Sequence, residues 1–153
     1  MVRLMCYAPN RLLCAVRIFE IMTEEIKVKP DLLKFAKFST ILVIAATLGQ
    51  ASTGLAGSYG YEVLESHAYA AQLGLVACIA IVALVIMSKS ENKKLKGMSF
   101  GLATIWIIQY GLGEMFSEMA WISLIHAVIA MAIFGHALAL MRVIGAEHAI
   151  HSE

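Results

Sequence analysis

Charged side chains are missing from four long stretches of this 153-residue chain: Phe38–Tyr61, Ser66–Ser88, Gly97–Gly113 and Met119–Met141. A helix that crosses the hydrocarbon core of a membrane needs about 17 to 25 apolar residues, and each stretch is long enough. The stretches are continuous apolar runs, which excludes the alternating pattern of membrane β-strands. We therefore predict an all-α integral membrane protein, multi-pass in the cell membrane, with a bundle of four transmembrane helices.

Positive charge is missing from two of the three turns that join these stretches. Lysine and arginine occur only in the N-terminal segment up to Lys37, between Lys89 and Lys96, and at Arg142, whereas the other two turns carry only acidic charges. The positive-inside rule then places both termini and the central loop in the cytoplasm. Basic residues without interleaved aromatics argue against nucleic-acid binding and favour contact with anionic membrane lipid.

Cysteine is scarce, with three residues in the chain. Cys6 and Cys14 lie in the first 21 residues and Cys78 lies alone in the second stretch, which excludes a disulfide framework and a cysteine-based zinc site. The apolar piece of this segment, Leu12–Phe19, is interrupted by Arg17, is too short to span a membrane and lacks a convincing cleavage site, and Met22 is an alternative translation start. We assign residues 1–37 to a cytoplasmic tail, 38–141 to the membrane domain, and 142–153 to a second cytoplasmic tail.

A repeated motif stands out within these apolar stretches. Residues 50–71 and 109–130 share the pattern Q-x3-G-x3-S-x8-H-A-x2-A with a period of 59 residues, from Gln50 to Gln109. The repeat predicts two equivalent helical hairpins that both turn on the outer side. At about 1.5 Å per residue, each motif glycine and histidine lies roughly 10 Å inside the outer face. We expect a glycine to face a histidine at this depth in both hairpins, namely Gly54 with His67 and Gly113 with His126.

The two repeated histidines are candidate metal ligands. Ala71 and Ala130 each follow a histidine by four residues, on the same helical face, and Gly74 continues the first stripe. Small residues beside a histidine leave a flat slot for a planar macrocycle, and two imidazoles are typical axial ligands of haem iron. In the alternative interpretation the small residues serve helix packing and the histidines hydrogen-bond neighbouring helices. Ionisable groups in a membrane are costly and usually functional, which favours haem binding by His67 and His126.

Other polar residues lie close to these histidines in the sequence. Gln50 and Gln109 are expected to hydrogen-bond across the bundle or to contact a macrocycle edge or propionate. Four glutamates lie in the two outer turns, where they are either solvated or handle protons: Glu62, Glu65, Glu114 and Glu118. For His136 we expect packing or a hydrogen bond, with a second haem or a quinone contact as the alternative.

The two hairpins resemble one four-helix half of heme A synthase. The resemblance covers about Phe38–Met141 and is carried best by "IIQYGLGEMFSEMAWISLIHAVIA", which is similar to the family's glutamine–glycine helix followed by a histidine helix. It implies that His67 and His126 bind haem. It also implies an oxidoreductase that converts the heme O methyl group to the formyl group of heme A, for cytochrome oxidase assembly.

The chain also departs from that family. It has one four-helix half where the full enzyme has two, so a homodimer would restore the eight-helix arrangement. The family's extracytoplasmic cysteine pair is absent, and Leu64 and Ala68 replace the glutamate and arginine that flank the family's first histidine. Glu65 and Glu62, two and five residues before His67, are therefore the candidate catalytic carboxylates.

Three functions stay open from the sequence. The first is the heme A synthase type of oxidoreductase, with heme b, heme O or heme A and its iron as cofactor. The second is a bis-histidine cytochrome b that transfers electrons within a larger respiratory membrane complex. The third is a haem-free accessory subunit in which the polar residues only join helices.

Overall fold

The computed structural model describes residues 28–115 and 120–152. Those residues form four α-helices and no strand: α1 (Pro30–Ser58), α2 (Leu64–Met87), α3 (Lys93–Glu114) and α4 (Ala120–His151). The prediction of an all-α chain with four helices is confirmed. The predictions for the first 21 residues, including the alternative start at Met22, lie outside the described residues.

Local sequence explains several of the helix ends. Pro30 occupies the first turn of α1, where the missing N–H has no helical partner to lose. Asn92 caps α3, since its side chain accepts a hydrogen bond of 3.0 Å from the backbone N–H of Leu95. Gly60, in the turn between α1 and α2, has a φ of +86°, a left-handed conformation that glycine adopts without a Cβ clash.

The first and last helices extend beyond the charge-free stretches. α1 begins at Pro30, before the first stretch, and α4 continues to His151, beyond Met141. Residues 30–37 and 142–151, which the sequence assigned to tails, are therefore helical. Absence of charge therefore does not mark where α1 begins or where α4 ends, because a charged turn can extend past an apolar core without ending the helix.

Three of the helices are long and apolar enough to cross a membrane: Pro30–Ser58, Leu64–Met87 and Trp121–His151. α3 is shorter, with 22 residues, and its first turn carries three lysines: Lys93, Lys94 and Lys96. The described part of the chain is thus an all-helical bundle compatible with a membrane.

The four helices pack in a ring. α1 contacts α2, α2 contacts α3, α3 contacts α4, and α4 closes the ring on α1. Among the described residues the backbones of the diagonal pairs α1–α3 and α2–α4 do not approach each other, so these helices can meet only through side chains. The predicted hairpins α1–α2 and α3–α4 are therefore present, and the two interfaces between the hairpins are equivalent in topology.

The repeat extends over the whole bundle and not only over the motif. Residues that lie 59 positions apart are repeatedly both buried, and some of these pairs differ greatly in side-chain size. The pairs are Ala36 and Leu95, Thr40 and Ser99, Val43 and Leu102, Thr47 and Trp106, Gln50 and Gln109, Gly74 and Ile133, Cys78 and Ala137, Ile81 and Leu140, Val85 and Ile144, Ser88 and Glu147. The two hairpins therefore turn equivalent faces to a shared core.

The buried apolar core lies toward the end of the bundle that contains the α2–α3 loop. Many of its fully buried side chains, which include Leu33, Ile81, Leu102 and Ile144, belong to that half, and Trp106 marks its limit on α3. In the described residues of the opposite half, few side chains are buried, and large apolar ones are exposed: Leu55, Tyr59, Leu64, Tyr69, Trp121, Leu124, Val128 and Met131. The two motif histidines lie in this less tightly packed half.

Candidate functional site

His67 and His126 lie next to each other. Their ring centroids are 6.0 Å apart and the ring planes are inclined by 39°. His67 is in the first turn of α2, His126 is in the second turn of α4, and both are half-buried. The convergence of the two histidines that the repeat predicted is confirmed.

Each histidine ring lies against the glycine that the repeat predicted. A Cβ atom placed on Gly54 would lie 3.7 Å from Cε1 of His67, and one placed on Gly113 would lie 3.5 Å from Cε1 of His126. Both are ordinary van der Waals distances, so each ring lies close to the backbone of the neighbouring helix, α1 or α3, with room for no more than a methyl group between them. This arrangement is the same in both hairpins.

Thr53 holds the ring of His67. Its Oγ1 atom is 3.0 Å from Nδ1 of His67, across the α1–α2 interface. Sequence reasoning missed Thr53 because it lies outside the shared motif: the residue 59 positions later is Leu112. Thr53 is adjacent to Gly54, which we expected to face His67. This position was the one indication that Thr53 could also reach the His67 ring.

Gln109 holds the backbone of α4 at His126. Its Nε2 atom donates a hydrogen bond of 2.9 Å to the backbone carbonyl of His126, which joins the two helices of one hairpin and does not cross the bundle. Gln109 is 1% exposed, and its Oε1 atom has no hydrogen-bond partner among the described residues. Gln50, at the equivalent position of the first hairpin, is also buried.

The slot predicted beside His67 is shorter than the sequence suggested. A Cβ atom on Gly74 would lie 1.8 Å from Cζ2 of Trp106, and Trp106 Nε1 donates a 3.1 Å hydrogen bond to the carbonyl of Ala71. The indole ring fills the space over Gly74, so the prediction that Gly74 extends the slot is wrong. Only the part beside Ala71 and half-buried Ala130 remains next to the histidines.

The candidate catalytic carboxylates lie at the exposed start of α2. Glu62 lies in the turn before α2, Glu65 lies in the first turn of α2, and both are exposed. Glu114 is exposed at the end of α3, whereas Glu118 lies outside the described residues. Exposure agrees with solvated turn residues, and a role in proton handling stays a prediction.

His136 forms a separate contact between α3 and α4. Its Nε2 atom is 2.9 Å from the backbone carbonyl of Met98, and because a carbonyl only accepts, Nε2 carries the hydrogen. Gly101 faces this ring at 3.6 Å, measured from a Cβ placed on the glycine to Cε1. His136 is therefore a hydrogen-bonding residue between α3 and α4, as we expected.

The spacing of the histidine pair suits two axial ligands of one metal ion. Two imidazoles that bind one ion from opposite sides, at about 2 Å per metal–nitrogen bond, have ring centres roughly 6 Å apart. Within the described residues no group of three or more His, Cys, Asp or Glu side chains could hold a metal. Two histidines alone would hold a metal only if a bound group supplied its other ligands, as the four nitrogens of the haem macrocycle would.

No protein-family model, curated protein or solved structure matches the chain. We describe the class of this protein by its own fold and by its histidine pair. It is an all-helical bundle with three helices able to cross a membrane and a histidine pair that joins its two repeated hairpins. The resemblance to heme A synthase depends on the quoted motif residues alone.

Proposed function

We propose that this chain is a membrane-embedded haem protein in which His67 and His126 bind one haem iron. The observation that carries the proposal is the pair of rings from α2 and α4 with centroids 6.0 Å apart. Gly54 and Gly113 leave each ring close to a neighbouring helix backbone, and Thr53 orients His67. Bound haem would supply a redox-active iron.

The proposal includes a membrane crossing by all four helices, with both termini in the cytoplasm. α3 has 22 residues and is about 33 Å long, which is enough for a hydrocarbon core of about 30 Å. Its lysines at one end and Glu114 at the other agree with that orientation. The exposed apolar side chains of the outer half, such as Leu64 and Met131, would then contact lipid.

Within this class we propose an oxidoreductase of the heme A synthase type. The shared Q-x3-G and histidine motifs support this activity, and so do two exposed carboxylates that lie two and five residues before His67. Glu65 and Glu62 are the residues that we propose for proton handling there. A homodimer would restore the eight-helix arrangement of the full enzyme.

A bis-histidine cytochrome b that carries electrons within a larger respiratory complex is the second candidate. The observation that favours it is the exposure of both Glu62 and Glu65, because an electron carrier needs the two axial ligands and no catalytic carboxylate. The positions of the family's glutamate and arginine are occupied by Leu64 and Ala68, which agrees with this function.

The haem site is tested by the reduced-minus-oxidised absorption spectrum of protein purified from haem-supplied cells. We expect a low-spin haem spectrum that is lost in His67→Ala and in His126→Ala. His136→Ala is the matched control, because His136 is also intrahelical and faces a glycine but its Nε2 is bound to Met98. A colourless wild-type protein would contradict the proposal.

The two activities are separated by identifying the haem. Pyridine hemochrome analysis that finds heme O or heme A supports the synthase, and loss of heme A formation in Glu65→Gln with haem retained would assign that carboxylate. Haem b alone, together with reversible reduction, supports electron transfer.

A further inference from the structure

The hydroxyl group of Thr53 has one hydrogen and several neighbours. Its Oγ1 atom is 2.8 Å from the carbonyl of Gly49, 3.2 Å from the carbonyl of Gln50, and 3.0 Å from Nδ1 of His67. A carbonyl oxygen only accepts, so the short contact to Gly49 requires the hydroxyl hydrogen. Oγ1 then offers a lone pair to His67.

Two other threonines of α1 have the same geometry as Thr53. Thr40 and Thr47 each donate to the carbonyl four residues earlier, in both cases at 2.8 Å. This is the usual bond of a threonine inside a helix, and Thr53 repeats it with the same length. The hydrogen shared between Thr53 and His67 must therefore belong to Nδ1 of the histidine.

We propose that Thr53 is a positioning residue that fixes His67 in the tautomer with hydrogen on Nδ1. In a neutral imidazole the other nitrogen, Nε2, then carries the free lone pair, and Nε2 is the atom that would bind the metal. Metal-binding histidines typically donate their other ring N–H to an acceptor that sets tautomer and orientation. The metal-binding part rests on the proposed function, whereas the tautomer does not.

The repeat makes this role specific to the first hairpin. Leu112 occupies the position equivalent to Thr53, and a leucine side chain has no oxygen to accept a hydrogen bond. The same hydroxyl is therefore not reproduced at that position in the second hairpin. His67 receives a tautomer-setting contact that belongs to one half of the pseudo-symmetric site.

The tautomer is measured without haem, by ¹⁵N NMR of histidine-labelled protein in detergent micelles, with His67→Gln to assign the signal. We expect Nδ1 to be protonated in the wild type and in Thr53→Ser. In Thr53→Val, a change of nearly equal volume, the Nε2-protonated form should increase. Thr47→Val is the matched control and should leave the signal of His67 unchanged. An Nε2-protonated His67 in the wild type, or no change in Thr53→Val, would overturn the proposal.

The consequence for the metal is measured by titrating haem into the same proteins. Loss of such a hydrogen bond typically weakens metal binding by about 10-fold or more, so Thr53→Val should bind haem less tightly and Thr53→Ser should restore binding. The reduction potential of Thr53→Val should rise, because His67 becomes a weaker electron donor. A wild type that binds no haem would refute the haem function, and the NMR result would still decide the tautomer.

Discussion

At the scale of single residues, four glycines of this bundle lie against rings of a neighbouring helix, and at one of them the missing Cβ is required. Gly54, Gly101 and Gly113 each face a histidine, and Gly74 faces Trp106. The repeat was sufficient to predict the partners of Gly54 and Gly113, since each pair lies within one hairpin. The contact between Gly74 and Trp106 joins different hairpins, and sequence spacing carries no information on how these are rotated against each other.

Gly74→Ala should destabilise the bundle. The added Cβ would lie 1.8 Å from a carbon of Trp106, and Trp106 is 1% exposed, so the indole has little room to move. Overpacking of this kind costs about 1–3 kcal/mol, which thermal unfolding in detergent, followed by circular dichroism, will show as a lower midpoint.

Gly135→Ala is the matched control for this change. Gly135 also lies inside a helix, but a Cβ placed on it meets nothing within 4 Å. Alanine is the better helix former by about 1 kcal/mol, so its midpoint should stay equal or rise. Equal midpoints for the two variants would show that Trp106 is not confined by Gly74.

At the scale of helices, a buried carboxylate fastens the end of α4 to the α2–α3 loop. Glu147 is 7% exposed and accepts hydrogen bonds from Ser90 Oγ and, at 2.8 Å, from Asn92 Nδ2. Nε2 of His151 is 3.4 Å from the same carboxylate. This contact could not be predicted, because charged residues after Met141 are typical of a tail and the partners lie more than 50 positions apart along the chain.

Glu147→Ala should loosen this end of the bundle. It leaves the polar side chains of Ser90 and Asn92 without their acceptor, at a cost of about 1–3 kcal/mol. We expect faster hydrogen–deuterium exchange over residues 88–92 and a lower unfolding midpoint. Glu91→Ala, in the same loop but exposed, should change neither, and equal exchange in both variants would refute the role of Glu147.

At the scale of the whole molecule, the charge-free stretches predicted the number and order of the helices correctly. They did not predict the start of α1 or the end of α4, because both helices continue through turns that carry charged residues. These turns still contribute apolar side chains to the core, and Ile144 is one of them. The repeat correctly predicted equivalent hairpins. The ring order of the four helices was not predictable, because it depends on contacts between hairpins that share no sequence signal.

The predicted orientation in the membrane can be measured with single cysteines. In a background with Cys6 and Cys14 replaced by serine, Glu62→Cys should react with a membrane-impermeant maleimide added outside intact cells. Lys93→Cys should react only after permeabilisation. Cys78 is buried, so it should react little with the maleimide. The parent protein without the new cysteine measures that background labelling. Labelling of both positions from the same side would contradict the four-span topology.

The central claim is that His67 and His126 bind the same iron, and near-infrared magnetic circular dichroism of the oxidised, haem-loaded protein tests it most directly. This method distinguishes pairs of axial ligands, and haem and protein content can be measured on the same sample. Our account predicts one low-spin haem per chain with the signal of two imidazole ligands. A high-spin iron, a different ligand pair, or an unchanged bis-imidazole signal in His67→Ala would contradict it.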